Sequence, residues 1–288
     1  MYGSSDMVAV GARQGDGMMA TMTSGIATSA VVLCGGMSSR MGRPKALLPW
    51  RGQPMVGHVA DVLLQVVDEV VVVTSAELGL DAVDFDKRVR LTIDREPRRG
   101  PLAGIRDGLA AMRGDWAFVS GTDVPHLAPA FVRALLAFER AVAPEIDGHV
   151  QPLAAVYPAG AALEADALLT EERMRPLFLL EALDYKKVAA AALPDVESVR
   201  GFNTPQAYLA ALAADGQRGV AKVELTGEVA DRAGVAMKEI EPGYLRDVLV
   251  ALGVEVAGLE TVTLNDLPVC LEGDFNVPVG PGDCVLVG

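Results

Sequence analysis

From Ser29 onward, short apolar runs alternate with stretches of helical period. Ala30-Val-Val-Leu-Cys34 is continuously apolar and ends on Gly35-Gly36, the pattern of a buried parallel strand feeding a glycine turn. Pro54 to Val67 has helical spacing, and Glu69 to Thr74, with β-branched residues from Val70 to Val73, reads as a second strand. Val89 to Ile93 is a third strand, closed by Asp94. Gly100-Pro-Leu-Ala-Gly104 opens a helix to about Met112, Trp116 to Ser120 is a fourth strand ending at Gly121-Thr-Asp123, and Pro129 to Glu139 is a helix. Alternation of strand and helix, with chemically useful residues at strand ends, predicts an α/β fold: a doubly wound, mostly parallel sheet that binds ligands outside its carboxyl edge.

Beyond residue 140 the pattern blurs. Val188 to Leu193 is alanine-rich, and periodicity does not type it as helix or strand. Pro205 to Ala214 is a clearer helix. Val220 to Leu225 alternates as a strand, Pro242 to Leu252 is an amphipathic helix, and Val262 to Leu264, Leu267 to Leu271 and Cys284 to Val287 read as short strands between turns. The chain thus divides into a leader at 1–28, a large α/β domain at 29–215 and a small α+β domain at 219–288. The leader is glycine-, serine- and methionine-rich with a single arginine, so it reads as disordered, and Met18, Met19 or Met22 is a candidate start.

Composition sharpens this outline. The 288 residues are 51% hydrophobic with a net charge of -13, which argues for packed domains and against a nucleic-acid or anionic-membrane surface. The charge is uneven: 219–288 carries -8 and the remainder -5. The three cysteines, Cys34, Cys270 and Cys284, have no metal-ligand or disulfide spacing. Reduced thiols and no long apolar run predict a soluble cytoplasmic protein. His58, His126 and His149 show no ligand spacing and are expected to be structural, and Cys34 a small buried residue.

The chemistry concentrates in Leu33-Cys-Gly-Gly-Met-Ser-Ser-Arg-Met-Gly-Arg-Pro-Lys-Ala-Leu-Leu-Pro49. It is neither a Walker A loop nor a dinucleotide GxGxxG. Its physics is related to both, because glycines admit backbone N–H groups close to a phosphate or base while Arg40 and Lys45 add positive charge. Asp123 and Asp94, each at a strand end, have turn roles as their ordinary alternative, and Asn203 precedes a Thr204-Pro205 helix start that it could serve instead.

The string resembles the LxGGxSxRMGxxK signature of the molybdenum cofactor guanylyltransferases. Ile93-Asp94, Arg99-Gly-Pro-Leu-Ala-Gly-Ile105, Ser120-Gly-Thr-Asp-Val-Pro125, Gln151-Pro-Leu-Ala-Ala-Val-Tyr157 and Phe202-Asn-Thr-Pro205 match further segments of that family in order. The resemblance spans about 29–215 and implies a nucleotide-diphospho-sugar-transferase-like variant of the Rossmann fold. It also implies transfer of GMP from GTP to the phosphate of molybdopterin, with pyrophosphate leaving. In that scheme Asp123 is the Mg²⁺ ligand. Arg40 and Lys45 stabilise the triphosphate. Leu33, Cys34, Gly35, Gly36, Asp94 and Gly100 contact the nucleotide, and Asn203 stands near the metal. Related enzymes that use CTP tend to carry Ala-Gly where this chain has Gly35-Gly36, which favours GTP. A cytidylyltransferase and a non-catalytic molybdopterin-binding or synthase-docking module remain the alternatives.

Residues 219–288 resemble the ubiquitin-like sulfur carriers of the molybdopterin synthase small-subunit and thiamine-carrier kind. The resemblance rests on Val229-Ala-Asp-Arg-Ala-Gly234, Leu245-Arg-Asp-Val-Leu249, Val262-Thr-Leu-Asn265 and Gly282-Asp-Cys-Val-Leu-Val287. It implies a β-grasp fold. Those carriers end in a flexible Gly-Gly tail, whereas this sequence ends at Val287-Gly288. The expectation is a docking or structural module rather than a working carrier, its acidity suited to a basic partner such as the large synthase subunit or an activating enzyme.

Overall fold

A computed structural model describes residues 27–35, 40–97, 99–255, 259, 261–270 and 276–288. The leader proposed for 1–28 lies outside these residues up to position 26, as do Gly36 and the end of the expected strand at Leu271.

The chain opens with β1 (Thr28–Leu33), a hairpin of β2 (Pro49–Trp50) and β3 (Gln53–Pro54), and α1 (Met55–Leu63). Then come β4 (Glu69–Thr74), β5 (Val89–Ile93), α2 (Pro101–Ala111), β6 (Trp116–Gly121) and α3 (Pro129–Leu136). The segment whose pattern blurs holds β7 (Val142–Ile146), β8 (His149–Val150), β9 (Ala154–Pro158), α4 (Ala161–Thr170), α5 (Pro176–Ala182) and β10 (Lys186–Ala189) before α6 (Pro205–Ala214). The sheet runs β10-β7-β9-β6-β1-β4-β5, with β8 paired to β7. β1 is parallel to β4 and β6, β4 to β5, and β10 to β7, whereas β9 runs antiparallel to β6 and β7. The central sheet is therefore mostly parallel, as the alternation predicts.

Helices cover both faces. Along β1, Ala30 and Val32 face α1 and α3, while Val31 and Leu33 face α2, α4 and α5. This is the two-residue period of a strand buried on both sides. Several expected bounds shift, among them the helix from Pro129, which ends at Leu136, and the run the pattern left untyped resolves. The first helix stops at Leu63 rather than Val67, because its last residues turn back towards β4. The alanine-rich run begins as β10 and finishes in a 3₁₀ turn. The stretch from Pro242 splits into a two-residue strand and a shorter helix.

The C-terminal segment holds β11 (Ala221–Leu225), α7 (Gly227–Ala233), β12 (Met237–Ile240), β13 (Gly243–Tyr244), α8 (Leu245–Ala251), β14 (Val262–Leu264), β15 (Leu267–Pro268), β16 (Pro278–Val279) and β17 (Cys284–Val287). Its sheet has the order β12-β11-β17-β14-β15, with β11 and β17 parallel at the centre. Leu245, Val248 and Leu249 of α8 pack on Val223, Val262, Val285 and Val287 in a core separate from those of the first sheet. Among the described residues no helix is long and apolar enough to cross a membrane.

Candidate active site

The site forms where β1, β4 and β6 end. After Leu33 the ladder continues for one residue, since Cys34 N–H donates to the Val73 carbonyl at 2.8 Å, and the chain leaves the sheet at Gly35. Leu33 is buried against α2, so only its backbone is available to a ligand. Cys34 is half-buried, and burial pushes its thiol well above the ordinary range, which leaves it unreactive as expected for a packing residue. Gly35 is exposed, and a Cβ placed on it would stand 3.9 Å from Asp94 Oδ2. Asp94 follows β5, where its N–H donates to Thr74 O at 2.8 Å and its Oδ1 accepts the Glu96 N–H at 2.9 Å. One carboxylate oxygen thus makes the turn while the other lies beside the glycine loop. Gly100 has φ +88° as the residue before α2, a backbone state that L side chains rarely adopt.

Three polar side chains from distant segments converge just past the end of β6, the sheet neighbour of β1. Lys45 Nζ donates to Asp123 Oδ2 at 2.8 Å and to Asn203 Oδ1 at 2.7 Å. The Lys45 and Asp123 side chains are 16% and 29% exposed, screened from water yet open to a ligand. Their positions follow from packing beneath them. Met41, Leu48 and Trp50 are buried with Phe202, Tyr208 and Leu212, which ties the loop carrying Lys45 to the start of α6. The Asp123 carbonyl accepts the Phe202 N–H at 3.2 Å, and Gly201 approaches so closely that a Cβ there would lie 2.6 Å from that carbonyl. Thr204, not Asn203, caps α6, its hydroxyl accepting the Ala207 N–H at 3.2 Å. Asn203 is thereby free of the cap and belongs to the cluster. Arg40 is exposed and takes no ion-pair partner among the described residues.

Asp123 Oδ1 accepts no hydrogen bond among the described residues, and with Asn203 Oδ1 it offers hard oxygen donors. Among those residues there is no group of three or more His, Cys, Asp and Glu side chains that could hold a metal ion. The Asp123 and Asn203 oxygens are hard donors of the kind Mg²⁺ accepts when phosphates and water complete its shell.

One supporting network escapes the sequence pattern. Asp107 and Arg106 on α2 are buried. Asp107 accepts from the Arg95 N–H at 2.8 Å, from Arg95 Nε at 2.7 Å and from Arg106 Nε at 2.9 Å. Arg106 and Arg99 both grip Glu96 at 2.5 Å. Burial raises the Asp107 carboxyl, but the hydrogen bonds from Arg106 and Arg95 outweigh it and hold it below 3.8. This network fixes the Asp94 to Gly100 turn on α2. The available signal is an adjacent Arg-Asp pair inside an otherwise apolar helix. Of the histidines, buried His58 Nε2 lies 2.9 Å from the Pro125 carbonyl, His149 Nδ1 lies 2.8 Å from Asp147 O in a turn, and exposed His126 stands edge-on to Trp50 with ring centroids 5.4 Å apart.

Comparison with known proteins bears on the fold and the family. Residues 30–187 match the MobA-like NTP transferase domain. A probable molybdenum cofactor guanylyltransferase of Bacillus cereus (strain ZK / E33L) is 31% identical over 192 residues, covering 64% of this chain and 94% of the relative. A protein of the same name from Methanothermobacter thermautotrophicus is 34% identical over 194 residues, covering 62% and 95%. The crystal structure of molybdopterin-guanine dinucleotide biosynthesis protein A from Archaeoglobus fulgidus superposes with a TM-score of 0.56 at 22% identity, covering 66% of this chain and 99% of that one. With the glycine loop and the Lys45–Asp123–Asn203 cluster at the carboxyl edge of the sheet, the chain belongs to the MobA-like NTP transferase family.

Proposed function

We propose that the enzyme transfers GMP from GTP to the terminal phosphate of molybdopterin, releasing pyrophosphate, and so makes a guanine dinucleotide form of the cofactor. The observation that carries this reading is the convergence of Lys45, Asp123 and Asn203 beside the glycine loop of a MobA-like fold. The guanylyltransferase names of the relatives and the Gly35-Gly36 pair support GTP over CTP.

An acceptor phosphate oxygen attacks the α-phosphorus of GTP, forming one P–O bond as the bond to the β-phosphate oxygen breaks. No protein nucleophile is needed, so catalysis is positioning and charge neutralisation. Gly35 and Gly100 present backbone N–H groups to the nucleotide, Gly36 is assigned to it by the resemblance alone, and the backbone of Leu33 and Cys34 with the second carboxylate oxygen of Asp94 contacts the base. Lys45 and Arg40 hold the triphosphate and carry the charge that moves to the leaving pyrophosphate. Asp123 and Asn203 would hold Mg²⁺, which when bound draws negative charge from phosphate oxygens. Lys45 pairs with Asp123, which holds the two side chains together.

We also read 219–288 as a separate β-grasp domain. The parallel pair β11–β17 at the centre of a five-stranded sheet, crossed by α8, supports this. An acidic docking role towards a basic synthase subunit or activating enzyme rests on its charge of -8.

The test is transfer of label from α-³²P-GTP to purified molybdopterin, with CTP in competition. Labelled dinucleotide and pyrophosphate are expected, with little inhibition by CTP. Efficient use of CTP would favour the cytidylyltransferase reading, and binding of molybdopterin without pyrophosphate release would favour a non-catalytic module.

A further inference from the structure

Arg43 occupies an unspecified place of the signature, between Arg40 and Lys45, yet it is among the most completely engaged cations in the molecule. Its Nη1 donates to Asp283 Oδ2 at 2.6 Å and its Nη2 to Asp283 Oδ1 at 3.2 Å. The guanidinium also reaches Pro278 O at 3.2 Å and Leu47 O at 3.3 Å. The two side chains are 8% and 0% exposed. The carboxylate is locked from its own side as well, because it accepts the Gly280 N–H at 2.7 Å and Asn265 Nδ2 at 2.6 Å. The Asp283 carbonyl in turn accepts the Lys222 N–H of β11.

Shape reinforces charge around this pair. Gly42, at φ +67°, comes so near Val277 that a Cβ would meet its Cγ2 at 2.8 Å. On the opposite side a Cβ on Gly280 would stand 2.3 Å from the Tyr208 hydroxyl, which itself donates to Pro49 O at 2.7 Å. One glycine from each segment thus lets the surfaces close around the ion pair. A buried ion pair is weak evidence for stability but a good device for specifying one arrangement, since any other seating strands a charge.

We propose that the C-terminal segment positions the signature loop for nucleotide binding, with Asp283 clamping Arg43 so that Arg40 and Lys45 are presented in one geometry. Arg43 is two residues from Lys45 and three from Arg40, so fixing its side chain removes freedom that the loop would otherwise lose when nucleotide arrives. Coupling of this kind is reciprocal: if seating of the segment favours nucleotide, nucleotide must favour seating of the segment. The inference rests on the reading of the loop as a nucleotide site.

Amide hydrogen exchange on the full-length protein, with and without Mg²⁺ and GTP, tests it without any variant. GTP is expected to slow exchange at residues 40–48 and also at Asn265 and Cys284–Val287. Slowing confined to 40–48 overturns the clamp and leaves the nucleotide reading intact. No slowing anywhere sinks the nucleotide reading and the clamp with it. In kinetics, Asp283→Asn is expected to raise the KM and Kd for GTP about tenfold, the cost of re-ordering roughly one backbone residue, with a smaller effect on kcat. Arg43→Lys, which keeps the charge and loses the fork, should fall between. A folded Asp283→Asn with unchanged GTP affinity overturns the proposal.

Discussion

Lys45 holds two acceptors at once, and both belong to residues far away in the chain. Replacing it leaves Asp123 and Asn203 without their shared donor and, on the proposed reading, removes a cation from the triphosphate site. Loss of one preorganised electrostatic contact of this kind costs about 10²–10³ in rate, so Lys45→Ala and Asp123→Asn should each lower kcat/KM for GMP transfer by that factor while circular dichroism stays native. Full activity in either variant would contradict the assignment. His58 makes a different prediction. Burial lowers its pKa below 6.5, with nearby Arg51 acting in the same direction, against its hydrogen bond to Pro125 and the carboxylates of Asp61 and Asp215. The unfolded chain therefore takes up a proton below 6.5 that the folded chain refuses. Its contribution to stability is complete above that value and is lost as pH falls from there to the lower folded-state value. Urea midpoints should drop from about pH 7.5 to about pH 5.5 by more in the native protein than in His58→Gln. Equal drops would show that His58 is not the titrating group.

At the level of elements, α2 governs how the site is held. It lies against β1 and β4 because Gly104 and Gly108 leave its inner face bare. A Cβ on Gly108 would meet Val31 Cγ1 at 2.2 Å and Val73 Cγ2 at 3.0 Å, and both neighbours are β-branched and rotamer-restricted. Gly108→Ala is accordingly expected to destabilise by about 1–3 kcal/mol through overpacking, read as a lower urea midpoint at unchanged slope. Gly104→Ala should cost less, because its nearest neighbour at 3.2 Å is the flexible end of Leu33. A neutral Gly108→Ala would mean that the helix shifts freely on the sheet. The strands flanking the site were legible in the sequence, since β1, β4 and β6 each hold a run of consecutive apolar residues, closed by Gly35 after β1, by Thr74 in β4 and by Gly121 in β6. β7, β9, α4 and α5 were not. β9 reverses direction in a mostly parallel sheet, and short elements rich in alanine carry too little periodicity to separate helix from strand.

For the whole molecule, the C-terminal segment and the signature loop meet around the buried Arg43–Asp283 ion pair. Asp283→Ala strands the Arg43 guanidinium in a buried site, at a cost of about 3–5 kcal/mol. Adding Arg43→Met should recover part of that loss, because it removes the stranded charge, while the Gly280 N–H and Asn265 Nδ2 still lack their acceptor. Denaturant unfolding of the single and double variants measures this, and additive losses would show that the two residues do not act as a pair. The net charge also gains a finer meaning. Much of the acidity lies in 219–288, but the Asp283 charge is consumed internally by Arg43 and never faces a partner. By itself the sequence determined the alternating α/β architecture and marked Lys45 and Asp123 as candidates in motifs at a loop and a strand end, because period and motif spacing are local quantities. Tertiary structure alone decided that Asn203 leaves its helix start to join Lys45, that Arg106 and Asp107 fasten the Asp94 turn, and that Arg43 pairs with a carboxylate 240 residues away. Those pairings depend on which surfaces are buried together, and burial is a property of the folded chain rather than of any window along it.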